Sequence, residues 1–192
     1  MKSLDYLGKK WLAMGLLVVG REPAALAIFN TMLARWPEDA YALASRSHLL
    51  AHSGHLDRAL ADSQRLTRIR ADHASTWFNH GFLLESAGLW DEALAAFQRA
   101  TELGPELDRA WYGLGLVLIR LQRYDEAVLA LKRNTELQPM SPSGWYQLAR
   151  VHVDRKEPEA AVKIIRHLQN FEPKVAEQLV RETGLRVGQP AA

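Results

Sequence analysis

Apolar residues recur with a helical period along the chain, most clearly in residues 108–121 and 127–137. In both segments they stand three or four positions apart, which predicts two amphipathic helices. Asp125 and Glu126 fall where the second helix begins, as acidic residues favour a helix N-terminus. Pro139 follows that helix and ends it. No segment alternates with period two, so no β-sheet is predicted.

The same pattern returns every 34 residues. One step back from Trp111, Gly115, Ala127, Leu131 and Pro139 leads to Trp77, Gly81, Ala93, Phe97 and Pro105. The alanine position is unbroken through five steps, at Ala25, Ala59, Ala93, Ala127 and Ala161. The internal repeats predicted in this way are 6–39, 40–73, 74–107, 108–141 and 142–175.

Each repeat is predicted to form two packed helices, with a small residue where they approach closely. One such pair cannot cover its own apolar face, so neighbouring repeats must stack. Residues 174–183 predict a shorter amphipathic helix that caps the last repeat. We therefore expect one domain over residues 1–187 and a flexible tail over 185–192.

The order of an aromatic, a small residue, alanine, a large apolar residue and a closing proline resembles the tetratricopeptide repeat (TPR) family. The resemblance covers about residues 6–175 and is strongest in the two middle repeats. The first two repeats depart from it, since Lys9 and Leu43 replace the Trp and Ser63 replaces the large apolar residue. The family implies an all-α fold, a right-handed superhelix (α-solenoid) of antiparallel helix pairs.

In TPR proteins the first helices of successive repeats line a concave groove that binds peptides. The resemblance places that groove at the following residues: Tyr41, His48, Phe78, Asn79, Phe82, Arg109, Tyr112, Leu116, Tyr146 and Arg150. Of the carboxylate clamp found in TPR domains that bind chaperone tails, only Asn79 and Arg109 are present. Tails of that kind are therefore not the expected ligand.

The expected function is a non-catalytic scaffold or adaptor that binds a segment of a partner protein. Aromatic rings and guanidinium groups in the groove favour a short apolar segment with an acidic or C-terminal carboxylate. An alternative is a dedicated chaperone or assembly factor for secreted or membrane-associated proteins.

The composition gives little indication of catalysis or of nucleic-acid binding. A net charge of +2 does not favour a nucleic-acid partner, and the third repeat has one basic and five acidic residues. The chain has no cysteine, no phosphate-binding loop and no nucleophile motif, so neither an enzyme nor a cofactor is predicted. A less favoured alternative is a metal site formed by His48, His52 and His55, with Glu85 beside them.

The first helix has an unusual composition. Lys2, Lys9 and Lys10 precede an apolar run over 11–19, a pattern shared with secretory signal peptides. The run is too short to span a membrane, and it keeps the register of the repeats. We therefore expect a cytoplasmic protein, with export as the alternative. An end repeat should have a polar outer face, so this apolar surface predicts self-association. The residues predicted for that contact are Trp11, Met14, Leu17 and Val18.

Overall fold

The computed structural model describes residues 4–187, which form eleven α-helices and no β-strand. The predicted tail over 185–192 lies mostly outside the described residues. Two compact units divide the chain at Leu89 and Trp90, within the third predicted repeat. The expectation of a single domain therefore stays a prediction. None of the helices between residues 4 and 187 is long and apolar enough to cross a membrane.

Unit 1 contains five helices, each packed against the next along the chain. They are α1 (Leu4–Val18), α2 (Glu22–Arg35), α3 (Ala40–His52), α4 (Leu56–Ile69) and α5 (Ala74–Ser86). Unit 2 contains six helices, which likewise pack in sequence. They are α6 (Trp90–Leu103), α7 (Asp108–Arg120), α8 (Tyr124–Leu137), α9 (Pro142–Asp154), α10 (Pro158–Gln169) and α11 (Pro173–Thr183).

The helix boundaries follow the predicted 34-residue period. First helices begin at residues 40, 74, 108 and 142, and second helices begin at residues 56, 90, 124 and 158. The predicted cap over 174–183 is α11, which begins one residue earlier and packs against α9 and α10. The all-α fold is thereby confirmed.

The turn from first to second helix keeps one backbone conformation in all five repeats. Each turn has one residue with positive φ, and these residues are Gly20, Gly54, Gly88, Gln122 and Lys156. At Gln122 the backbone N–H donates to the carbonyl of Ile119, and the next N–H donates to that of Leu118. This pair of bonds is the Schellman motif, which satisfies carbonyls at a helix C-terminus. Only glycine adopts this conformation without a steric cost, so Gln122 and Lys156 are strained.

The alanine of each repeat lies in the core. All five alanines are fully buried, together with Phe29, Phe97, Leu131 and Ile165, four residues after Ala25, Ala93, Ala127 and Ala161. Two glycines in α7 allow side chains of neighbouring helices to approach closely. A Cβ added to Gly113 would lie 2.6 Å from Cε1 of Phe97, and one added to Gly115 would lie 2.7 Å from Cγ of Leu131.

Trp77, Trp111 and Trp145 are less buried than the sequence predicts. The repeat pattern predicts that Trp77, Trp111 and Trp145 are buried between paired helices, but each is only half-buried. Each indole N–H donates to the carbonyl oxygen six residues earlier, at Ala71, Pro105 and Pro139, over 2.8–2.9 Å. An indole has a polar N–H as well as an apolar body, so it lies at the edge of the core. There it ties the first helix to the turn that precedes it.

Candidate peptide-binding site

The ten predicted groove residues lie on four first helices. In unit 1, α3 and α5 bear Tyr41, His48, Phe78, Asn79 and Phe82. In unit 2, α7 and α9 bear Arg109, Tyr112, Leu116, Tyr146 and Arg150. The two groups belong to different units and are described separately.

Tyr41 is held within unit 1 by its neighbours. Its ring packs edge-on against Phe29 with centroids 5.9 Å apart, and Nζ of Lys10 lies 4.6 Å from its centroid. Burial raises the pKa of the Tyr41 hydroxyl. This ring is therefore part of the packing around α1 and α2, and its face is less open to a ligand than the sequence implied.

His48, Asn79 and Phe82 come together at one place on unit 1. They line a cavity between α3, α4 and α5, and the ring of Phe82 is 54% exposed. Phe78 is half-buried beside them along α5. His48, Asn79 and Phe82 thus share one surface of unit 1, and its use as a peptide groove stays a prediction.

Tyr112 and Tyr146 line a shallow pocket of about 250 Å³ in unit 2. Pro142 and Ser143 contribute from the start of α9, and Val175 and Gln178 contribute from α11. The two tyrosine rings are half-buried, and Leu116 is half-buried along the same helix as Tyr112. An aromatic pocket with a few polar groups at its edge suits an apolar side chain of a ligand.

A carboxylate of the chain itself lies beside this pocket. The hydroxyl of Tyr146 donates to Oε2 of Glu182 over 2.6 Å, and Nη1 of Arg150 donates to the same oxygen over 2.8 Å. Nε2 of Gln178 donates to the other oxygen over 2.7 Å. The bond from Tyr146 is the main cause that lowers the pKa of the Glu182 carboxyl, and the same bond raises the pKa of Tyr146. Tyr146 and Arg150 therefore bind a carboxylate, and in this structure it is supplied by α11.

Sequence reasoning identified Tyr146 and Arg150 but missed Glu182. The periodicity of 174–183 predicts Glu182 on the outer face of the cap helix, because it assigns the apolar side to Val175, Leu179 and Val180. Nothing in the sequence indicates that α11 lies with Glu182 against α9. The remaining predicted cation, Arg109, is exposed on α7 but also has a partner within the chain.

The predicted histidine cluster does not form a metal site. His52 lies 3.1 Å from a carboxylate oxygen of Glu22 in α2, and His48 lines the cavity described above. Between residues 4 and 187, no three histidine, aspartate, glutamate or cysteine side chains come close enough to hold a metal ion.

Three of the four residues predicted for self-association are exposed on α1. Trp11 is 67% exposed, and Met14 and Val18 are also exposed. Leu17 differs, because it is half-buried and packs against the core cluster of unit 1. Its side chain therefore contributes to packing within unit 1.

Comparison with known proteins agrees with this architecture. Residues 78–133 match the tetratricopeptide repeat family. The chain has the tetratricopeptide-repeat fold. No curated protein sequence matches the chain.

Several solved TPR structures superimpose over almost the whole chain. MamA from Desulfovibrio magneticus RS-1 has a TM-score of 0.84 at 18% identity, covering 91% of this chain and 98% of that one. YrrB, described as a TPR protein with an unusual peptide-binding site, has a TM-score of 0.80 at 19% identity, covering 94% and 92%. TTC0263, a TPR protein from Thermus thermophilus, has a TM-score of 0.62 at 20% identity, covering 94% and 98%. At this identity the likeness concerns the fold alone.

Proposed function

We propose that this protein is a non-catalytic scaffold that binds a segment of a partner protein on its first helices. The observation that carries the proposal is the pocket of Tyr112 and Tyr146 beside a tyrosine–arginine pair that holds a carboxylate. The pocket suits an apolar side chain, and the pair suits an acidic group. A peptide-binding site is also named for the similar TPR protein YrrB. The role of chaperone or assembly factor remains the alternative, and the cytoplasmic location stays a prediction.

The ligand group that fits this site is an acidic side chain or a C-terminal carboxylate. A ligand carboxylate would take the place of Glu182 on Tyr146 and Arg150, and Glu182 would return to solvent. The ligand carboxylate would make the same charge-assisted hydrogen bonds that Glu182 makes, which are among the stronger ones in proteins. The exchange of one carboxylate for the other therefore changes the free energy little. The ligand's apolar neighbour, seated between Tyr112 and Tyr146, then supplies the net gain.

A displayed library of random peptides, selected on the full chain, tests this function. Selected peptides should carry an acidic residue or a free C-terminus next to an apolar residue. The double variant Tyr112→Ala/Arg150→Ala should bind them about 30-fold to 1,000-fold more weakly, because aromatic and arginine anchors contribute about 2–4 kcal/mol. Glu182→Gln should bind them more tightly, since the competing carboxylate is gone.

The matched control is Leu129→Ala/Lys132→Ala on α8. Like the groove variant it removes one apolar side chain and one cation, but from exposed positions on a second helix. Fluorescence anisotropy should give the same peptide affinity as the wild type. If the control loses the peptide and the groove variant keeps it, the binding face belongs to the second helices.

We further propose that α1 pairs with α1 of a second copy. Leu4, Leu7, Trp11, Met14 and Val18 form an exposed apolar stripe with alternating spacings of three and four residues. That spacing is typical of a helix that packs along another helix. Scattered single apolar residues are ordinary on a protein surface, but a continuous stripe indicates an interaction site.

Two glycines in α1 favour a second copy as the occupant. A Cβ on Gly8 or Gly15 would meet nothing within 4 Å in the described chain, unlike Gly113, which Phe97 covers. Their lack of a side chain is therefore unexplained within one copy, although glycine costs a helix about 0.5–1 kcal/mol relative to alanine.

Antiparallel pairing about a two-fold axis at Trp11 accounts for both glycines. A residue k positions after Trp11 then faces the residue k positions before it in the other copy. Leu7 faces Gly15, Met14 faces Gly8, and Leu4 faces Val18. Large residues thus meet glycines, and the stripe is complementary to itself.

Sedimentation velocity at about micromolar concentration tests this pairing. The wild type should be dimeric, and Trp11→Glu should be monomeric. Gly15→Gln should also be monomeric, with a melting temperature no lower than that of monomeric Trp11→Glu, because the added side chain has open space within one copy. Leu129→Glu, which changes a side chain 68% exposed on α8, should stay dimeric. A monomeric wild type, or a Gly15→Gln dimer, contradicts the pairing.

A further inference from the structure

A cavity of about 150 Å³ lies between α3, α4 and α5 of unit 1. Its walls are mostly apolar, with Leu66 and Leu83 among them, and Phe82 contributes its exposed ring. His48 and Asn79, both exposed, lie on the same lining. Cavities of about this volume in other proteins hold a benzene molecule, so one aromatic ring fits.

A short side chain at one repeat position accounts for this space. Ser63 in α4 stands 34 residues before Phe97 and 68 before Leu131. Phe97 and Leu131 fill the corresponding space in unit 2 so closely that only glycine fits opposite them. Ser63 is too short to do so, and it lines the cavity instead. The cavity thus belongs to the one repeat whose second helix lacks the large apolar residue.

One polar side chain on the cavity wall, that of Thr76, has its hydroxyl open to the cavity. Thr76 is only 6% exposed, and its hydroxyl makes no hydrogen bond to any side chain or backbone group within residues 4–187. No unpaired polar side-chain atom in the described chain is fully enclosed, so the hydroxyl is open to the cavity. The neighbouring serines differ, because Ser47 donates to the carbonyl of Ala59 and Ser63 to that of Leu60. The other repeats have alanine or glycine where Thr76 stands, at Ala42, Ala110 and Gly144.

We propose that this cavity binds a tyrosine side chain of the partner segment. The inference rests on the proposed function, to which it adds a specific residue of the ligand. The aromatic ring would fill the space left by Ser63, between Leu66 and Leu83. Its hydroxyl would pair with Thr76, since a phenol both donates and accepts a hydrogen bond.

Other side chains fit the cavity less well. A phenylalanine would fill the space but leave the Thr76 hydroxyl buried without a partner, which costs about 1–3 kcal/mol. A lysine or arginine would be buried without a counter-charge, because no carboxylate lines the cavity. An acidic side chain would meet only His48 and Asn79 at the surface, whereas the pocket beside Arg150 already suits such a group.

The test uses two small probes, p-cresol and toluene, which are the side chains of tyrosine and phenylalanine. Both are titrated into the full-length chain, with binding followed by NMR of the methyl groups. Each probe should shift the methyl signals of Thr76, Leu66 and Leu83 saturably. In Thr76→Val, which keeps the shape and removes the hydroxyl, the ratio of p-cresol affinity to toluene affinity should fall about fivefold.

Two further variants close the cavity by different routes. Ser63→Leu introduces the side chain that Leu131 supplies in unit 2, and Ala44→Leu adds bulk from an exposed position on the lining. Both should abolish binding of both probes. Ala61→Leu, on an exposed position of α4, should leave binding unchanged. Ser63 also lies 2.8 Å from Nδ1 of His80, a contact that Ser63→Leu removes and Ala44→Leu leaves in place. A loss of binding in Ala44→Leu therefore cannot come from disruption of that contact.

Three outcomes would overturn the proposal. They are an absence of saturable shifts in the wild type, shifts that persist in both closing variants, and an affinity ratio unaffected by Thr76→Val. None of these requires a peptide, so the test is separate from that of the proposed function. If library peptides bind while the probes do not, only the tyrosine pocket is wrong. If the probes bind but no peptide is selected, the pocket stands and the proposed function fails.

Discussion

The hydroxyl oxygen of Ser63 lies 2.8 Å from Nδ1 of His80, which joins α4 to α5. Ser63 has one proton, so when it donates to the carbonyl of Leu60 the ring donates to Ser63 through Nδ1. The equivalent positions in unit 2 are the apolar pairs Phe97 with Leu114 and Leu131 with Leu148. A polar pair therefore stands in unit 1 where these two equivalents in unit 2 have apolar residues at both positions.

This pair predicts a pH dependence of stability. Burial lowers the pKa of His80 below its ordinary value of 6.5, so the unfolded chain binds its proton at a higher pH than the folded chain does. The contribution is fully present above pH 6.5 and is lost as the pH falls from there towards the folded pKa. The melting temperature should therefore drop between pH 7 and pH 5.

A double variant isolates the contribution of His80 to that drop. Ser63→Leu/His80→Leu reproduces the pair of Leu131 with Leu148 and removes the titrating group. Thermal unfolding followed by circular dichroism should show a smaller loss of melting temperature between pH 7 and pH 5 than in the wild type. An equal loss in both proteins would assign the effect to other groups.

Gln122 predicts a stabilising substitution. Its φ of 57° lies in the left-handed region, which costs about 1–2 kcal/mol for a residue with a Cβ. Gln122→Gly removes that cost, while the greater freedom of glycine in the unfolded chain offsets about 0.4–1 kcal/mol. We expect a net gain of about 0.5–1 kcal/mol in urea denaturation. The reverse change Gly54→Gln, at the equivalent position with a φ of 81°, should destabilise by a similar amount.

Two alanines of α4 predict opposite responses to the same substitution. Ala59 is fully buried and Ala61 is exposed, two residues away on the same helix. Ala59→Leu should lower the free energy of unfolding by about 1–3 kcal/mol, because added methyl groups do not fit a close contact between helices. Ala61→Leu should change it by less than about 0.5 kcal/mol. Equal stability of the two variants would refute the assignment of the alanine position to the helix contact.

A buried ion pair between α3 and α4 predicts strong coupling. Nε and Nη2 of Arg46 donate to the two carboxylate oxygens of Asp62, each over 2.6 Å, and the Asp62 side chain is 4% exposed. Arg46→Met leaves the carboxylate buried and unpaired, so it should cost about 3–5 kcal/mol. Arg46→Met/Asp62→Leu replaces the pair by hydrocarbon and should cost far less than the single change. A chemical-denaturation cycle over the four proteins gives the coupling, and additive effects would mean that the pair does not interact.

The period of the sequence determined the helices. Hydrophobic spacing and one alanine per 34 residues predict the helix pairs and their register, because a helix must bury one face at a regular interval. The glycines at 20, 54 and 88 also indicate where a turn with positive φ occurs. In the last two repeats the same turn has Gln122 and Lys156 in place of glycine, so the sequence does not indicate its positive φ. The hydrogen bonds of the surrounding helices hold these two residues in a conformation that they do not favour.

The candidate sites depended on tertiary structure. The repeat register located Tyr146, Arg150, Phe82 and Asn79, because equivalent positions share a helix face. It did not indicate that Arg150 donates a hydrogen bond to Glu182, or that Thr76 lines a cavity. Nor did it indicate that Leu17 packs against the core while Trp11 is exposed. Each of these facts depends on which side chains from distant segments meet. A local pattern determines the face of a helix, whereas the partner opposite that face is decided only when the helices pack.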